Sequence, residues 1–117
     1  MTDLVACLGS GKGTWNYIND LIASENWDKI YLVTNTFGKE NFKPGKEAEF
    51  IVIDENIPLI DLVEDIRKKL DRKLGIEVAL NLISGSGKEH MALLAALLRL
   101  GVAVRIIALT PDGVKEL

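Results

Sequence analysis

Five short apolar runs, most of them separated by segments with helical spacing, constrain the fold of this chain more than any other feature. They read "DLVACL" at 3–8, "KIYLVT" at 29–34, "EFIVI" at 49–53, "IEVALNLI" at 76–83 and "VAVRIIAL" at 102–109. Each has strand length, and none alternates cleanly between apolar and polar residues, so both faces of most strands must be covered. After the first run, Trp15, Ile18, Leu21 and Ile22 fall on one helical face opposite Asn16, Asn19 and Asp20, with Thr14 placed to cap that helix. After the third, Pro58 suits a helix start, and Leu59, Leu62, Val63, Ile66, Leu70 and Leu74 keep helical spacing. Acidic residues lie early in that helix and basic ones late, as its dipole favours, and Gly75 is the expected C-cap. Its charge run reads as a solvated face.

The stretch 35–48, "NTFGKENFKPGKEA", reads as a long loop with room for one helical turn, whose Lys39, Lys43 and Lys46 are ordinary solvated lysines unless they rim a site. Helical sequence returns at "HMALLAALLRL", which is apolar almost all round and stops at Gly101, so it must be enclosed or covered by a partner. The order β-α-β-β-α-β-α-β predicts an α/β chain: one domain over 1–117, a doubly wound, mostly parallel five-stranded Rossmann-like sheet with helices on both faces. The expected strand order is 3-2-1-4-5.

Composition narrows the functional classes. Fourteen basic against 17 acidic residues leave a net charge of −3, unsuited to a long nucleic acid. One His and one Cys make a structural zinc site improbable, and no metal or cofactor is expected. No apolar run reaches a membrane span, and the start has no signal-peptide pattern. Cys7 reads as a small buried core residue; a lone cysteine fits a reducing, cytoplasmic setting.

The tetrapeptide "GSGK" occurs at 9–12 and again at 85–88, directly after the first and fourth strands. The strand order brings those two positions side by side at the switch point of the sheet, the usual ligand crevice. Glycines let backbone approach an anion, a helix N-terminus offers free N–H groups, and lysine adds a full charge. Neither turn completes a Walker A loop, since Ala6 and Leu82 stand where its first glycine belongs and Gly13 and Glu89 follow the lysines. Thr14 and His90 likewise break the dinucleotide pattern G-x-G-x-x-G. Two tight connections binding nothing, as in a dimeric structural subunit, are the bland alternative. The turns also suggest a half-domain repeat, but their flanks do not match.

A Gly/Ser turn after strand 1, and "SGSGK" after strand 4 leading into "MALLAALLRLG", resemble the CRISPR-associated Rossmann fold (CARF) family over the whole chain in element order. The family's second turn often reads T-G-G-T-K; here Ser86 and Gly87 replace its second Gly and Thr, and His90 adds one residue before the Met. The resemblance implies a homodimer that binds cyclic oligoadenylate (tetra- or hexa-adenylate), the second messenger of type III CRISPR immunity, and in ring nucleases cleaves it without metal. With about eight residues after the fifth strand, the expectation is a stand-alone ring nuclease, a sink, or a sensor whose effector lies elsewhere.

Carried onto this sequence, the resemblance makes Lys88 the candidate for charge stabilisation and Ser10 the residue that positions ribose or phosphate. Gly9, Gly11, Lys12, Ser84, Gly85, Ser86 and Gly87 line the two turns. Asn35 and Thr36, at the end of the second strand, are candidates for base or ribose contacts as well as for a turn. His90 stands between general acid and structural residue. Trp15 reads as core, and Tyr17 as a surface on which adenine can stack. The alternative from another class is a small Rossmann-like enzyme or binder acting on a mononucleotide or sugar phosphate.

Overall fold

The most continuously apolar runs take the middle of the sheet, where both faces are covered. A computed structural model describes residues 2–117 and places β1 (Asp3–Cys7), β2 (Ile30–Thr34) and β4 (Glu77–Asn81) there, with every residue of β1 and β2 buried. β3 (Glu49–Val52) forms one edge. On the other side β5 (Ala103–Thr110) leads to β6 (Gly113–Glu116), so the described residues form a six-stranded sheet in the order β3-β2-β1-β4-β5-β6. Among β1 to β5 every neighbouring pair is parallel, in the expected order.

The sixth strand corrects the expected five. The segment "TPDG" is a hairpin turn, and β6 pairs antiparallel with β5, Thr110 opposite Gly113 and Ile107 opposite Glu116. Thr110 Oγ1 donates to the Gly113 carbonyl at 2.7 Å and accepts from Asp112 N at 3.2 Å. Gly113 takes φ +105°, a conformation that glycine reaches without a Cβ penalty.

Two cores flank the sheet. On one face α1 (Trp15–Ser24) presses the fully buried Ile18, Leu21 and Ile22 onto Leu4, Ala6 and Leu32. On the other, α3 (Leu59–Leu70) and α4 (Gly87–Leu100) pack side by side, Leu62, Ile66 and Leu70 meeting Leu93, Ala96 and Leu97 over Val5, Val33 and Leu80. Each fully buried Leu or Ile contributes about 1.5–3 kcal/mol over its exposed state. The apolar helix is therefore not enclosed: Ala92, Leu93, Ala96 and Leu97 are buried, whereas Met91 and Leu98 on its outer side are 63% and 64% exposed.

Three local expectations change. Thr14 does not cap α1; a 3₁₀ turn over Lys12–Thr14 leads into that helix, and the Thr14 hydroxyl points elsewhere. α3 ends at Leu70 rather than at Gly75, because Arg72 takes the left-handed conformation (φ 62°) and Leu74 packs on the core from the turn that follows. Gly75 N instead donates to Asp3 Oδ2 at 3.0 Å, tying the start of β4 to that of β1. The loop at 35–48 does hold its helical turn, α2 (Thr36–Asn41).

Candidate functional site

Both glycine turns leave the sheet at the C-terminal ends of adjacent parallel strands, β1 and β4, and there they touch backbone to backbone. A Cβ on Gly9 would lie 2.9 Å from both Gly85 Cα and Gly85 N. A Cβ on Gly85, whose φ is +102°, would lie 2.6 Å from Cys7 Sγ. Only glycine fits either position.

Ser84 stitches the turns together. Its Oγ, with the residue 1% exposed, accepts from Gly9 N at 2.8 Å and from Thr14 Oγ1 at 2.6 Å. Trp15 Nε1 donates to the Gly9 carbonyl at 2.8 Å, so the first turn is pinned from both sides. Between the turns lies a cleft of about 430 Å³ lined by Gly9, Ser10, Gly11 and Thr14 on one wall and Ser84, Gly85, Ser86 and Glu89 on the other. A larger cleft, about 550 Å³, lies at the opposite end of the sheet around Trp27, Asp28, Tyr31 and Lys46. It is lined by charges of both signs and by no residue of either glycine turn, so the smaller cleft is the better candidate.

The candidate residues divide by what already holds them. Ser10, Gly11, Lys12, Ser86 and Gly87 are exposed at the turns. Gly87 and Lys88 begin α4, and their N–H groups have no acceptor within the helix. The Lys88 side chain turns away from the glycines, and its Nζ donates to the carbonyls of Glu55 at 2.9 Å and Ile57 at 2.5 Å. It fastens the β3–α3 loop to the start of α4. His90 Nε2 donates to the Ser84 carbonyl at 2.7 Å, so that nitrogen carries a proton and braces the second turn.

Asn35 is an N-cap: its Oδ1 accepts from Gly38 N at 2.9 Å, and its Nδ2 donates to Glu55 Oε1 at 3.2 Å. Thr36 is exposed on the first turn of α2. Tyr17 does not offer a free ring. Its hydroxyl accepts from Leu109 N at 2.7 Å and from Asn81 Nδ2 at 3.4 Å, filling the gap where β5 runs past the end of β4. Lys46 donates to the Glu25 carbonyl, at the far end from the turns.

Three features escaped the sequence reading. Ser86 and Glu89 form a capping box: the Ser86 Oγ accepts from Glu89 N at 3.3 Å, and Glu89 Oε1 accepts from Ser86 N at 2.7 Å. Its signal, Ser-x-x-Glu ahead of an apolar run, was present in the sequence. The box places a buried carboxylate inside the second turn and takes up the Ser86 N–H, which an anion would otherwise use. The same carboxylate acts on Cys7. Burial first and the Glu89 charge second push its thiol from the ordinary 9.0 up to about 12, so it is neutral and inert at physiological pH.

The third is an aromatic ledge beside the first turn. Lys12 Nζ sits 5.7 Å from the ring centres of both Trp15 and Phe37, and Trp15 packs edge-on against Phe42 at 5.5 Å. Among the described residues no group of His, Cys, Asp and Glu is placed to hold a metal ion, and no helix is long and apolar enough to cross a membrane. No protein-family model matches the chain, and no curated protein matches it in sequence.

Proposed function

We propose that this chain binds cyclic oligoadenylate (tetra- or hexa-adenylate) as a cytoplasmic homodimer of the CARF type. The observation that carries the proposal is the joining of two GSGK turns into one cleft at the switch point of a parallel sheet, by Ser84 and by the contact of Gly9 with Gly85. Anion donors stand at both turns: Ser10 in the cleft wall with the exposed Lys12 beside it, and the N–H groups of Gly87 and Lys88 where α4 leaves the second wall. The outward apolar side chains Met91 and Leu98 on α4, with Ile83 at its crevice end, support a second copy as the cover of that helix.

Turnover in this proposal is a transesterification. The ribose 2′-oxygen attacks the neighbouring phosphorus, the bond from phosphorus to the 5′-oxygen breaks, and the proton lost from the 2′-hydroxyl is balanced by one gained at the 5′-oxygen. The chain's part is to hold the 2′-oxygen in line and to stabilise charge on the phosphoryl oxygens. Ser10 and Lys12 are free for this. Lys88 supports the site by fastening the 54–57 loop, and its N–H rather than its ammonium faces the anion.

The cleft of about 430 Å³ within one chain also suits a single nucleotide, which favours a mononucleotide or sugar-phosphate ligand as the second reading. Incubation with cyclic tetra- and hexa-adenylate in the presence of a chelator, followed by chromatography of the products, tests the proposal. Micromolar binding with 2′,3′-cyclic phosphate products supports a ring nuclease, and binding without products supports a sensor. No binding of either ring rejects both.

A further inference from the structure

We infer that Phe37, backed by Trp15 and flanked by Lys12, is the platform on which a nucleobase stacks; this deepens the proposed function by assigning the base-recognition element of the same site. Phe37 is 43% exposed and lies outside the glycine cleft itself, joined to its first wall through Trp15 and Lys12. Its ring lies 6.1 Å from that of Trp15 at an interplanar angle of 44°. Trp15 is in turn fixed by its hydrogen bond to the Gly9 carbonyl and by its edge-on contact with Phe42, which is 3% exposed. Trp15 is thereby held from two sides, and Phe37 is the exposed ring of the ledge.

Lys12 completes it. Its ammonium is exposed and makes no ion pair among the described residues, resting 5.7 Å from the centres of both rings. A cation held over aromatic faces is a weak exposed contact that a phosphate can outcompete. A base on Phe37 with its phosphate between Lys12 and the first turn requires the ammonium, which now rests over that ring, to swing toward the phosphate. The backbone fixes Phe37 there: Gly38 is glycine because a Cβ would run into the Thr34 side chain, and the Asn35 cap sets the first turn of α2.

The test compares AMP with ribose 5-phosphate, which lacks the base, by calorimetry on the wild type, Phe37→Ala, Phe37→Leu and Phe37→Trp. Stacking of one base on an aromatic side chain predicts a loss of roughly 5- to 150-fold in AMP affinity for Phe37→Ala. Ribose 5-phosphate binding stays unchanged, and Phe37→Trp restores AMP binding. Phe37→Leu keeps apolar bulk without a π face and should behave as Phe37→Ala does, which keeps the test informative should alanine unfold the chain. Equal losses for both ligands, no loss for AMP, or a wild type that binds AMP no better than ribose 5-phosphate overturns the platform. If cyclic oligoadenylate fails to bind while AMP shows the Phe37 dependence, the proposed function falls and the platform stands. If the rings bind as tightly to Phe37→Ala as to wild type, the platform falls alone.

Discussion

Replacing Ser84 with alanine removes one oxygen from the point where the two glycine turns meet. That oxygen is buried and accepts from Gly9 N and from the Thr14 hydroxyl. Alanine fills nearly the same space, so cavity terms are small and the effect isolates the hydrogen bonds. The Gly9 N–H is left buried without a partner, at a cost of about 1–3 kcal/mol. The half-buried Thr14 hydroxyl can turn to water and adds roughly 0.5 kcal/mol. The sum is about 1.5–3.5 kcal/mol, and at roughly 4 °C per kcal/mol for a chain of this size the melting midpoint falls by about 6–14 °C. Urea titration should show a lower midpoint with an unchanged slope. Thr14→Val alone should cost under about 1 kcal/mol, and the double variant less than the sum, because the residues share one bond. A Ser84→Ala variant within about 0.5 kcal/mol of wild type, the usual range for a surface substitution, would refute the claim that this serine joins the walls.

Other outcomes follow from the same contacts. Gly85→Ala, strained by its positive φ and pressed onto Cys7 Sγ, should lose more than about 3 kcal/mol or fail to fold, as read by circular dichroism. Glu89→Gln keeps a side-chain acceptor for the Ser86 N–H but removes the buried charge; inorganic phosphate binding by calorimetry should tighten several-fold while stability drops by about 1 kcal/mol. The Cys7 thiol, with its folded pKa raised to about 12 from 9.0, keeps its proton longer in the folded than in the unfolded chain. Its contribution to stability is therefore full below pH 9 and lost as pH rises from 9 toward 12, at up to about 1.4 kcal/mol per pH unit, and Cys7→Ala should flatten that limb of a urea-midpoint profile. Arg72→Gly, relieving a left-handed side chain, should raise stability by up to about 1 kcal/mol in the same assay.

The fold was legible where local pattern and burial coincide. The runs at 3–8 and 29–34 are apolar through their middles because both faces of β1 and β2 are covered, and the strand order followed from the doubly wound pattern that such runs imply. β6 was not legible, since "GVKE" holds one apolar residue and owes its conformation to the Gly113 turn and the ladder with β5. Of the site, the adjacency of the turns followed from topology. What each polar residue touches did not: Lys88 reaches carbonyls 31 and 33 residues away, and Tyr17 a backbone N–H 92 away, and such long-range side-chain to backbone contacts leave no trace in spacing. Asn35 carries the composition of a ligand contact and of a helix cap alike, and its geometry makes it a cap. The apolar helix 90–100 gave the correct warning for a partial reason, since one side is core and the other, at Met91 and Leu98, is bare.

The most direct measurement of the central claim is the stoichiometry of cyclic tetra-adenylate binding by calorimetry, paired with light scattering on the same sample. Two turns forming half of a symmetric crevice predict one ring per two chains, a dimer in solution, and loss of both in a Met91→Asp/Leu98→Asp variant that remains folded. One ring per monomer, or no binding at tens of micromolar ligand, would contradict the account.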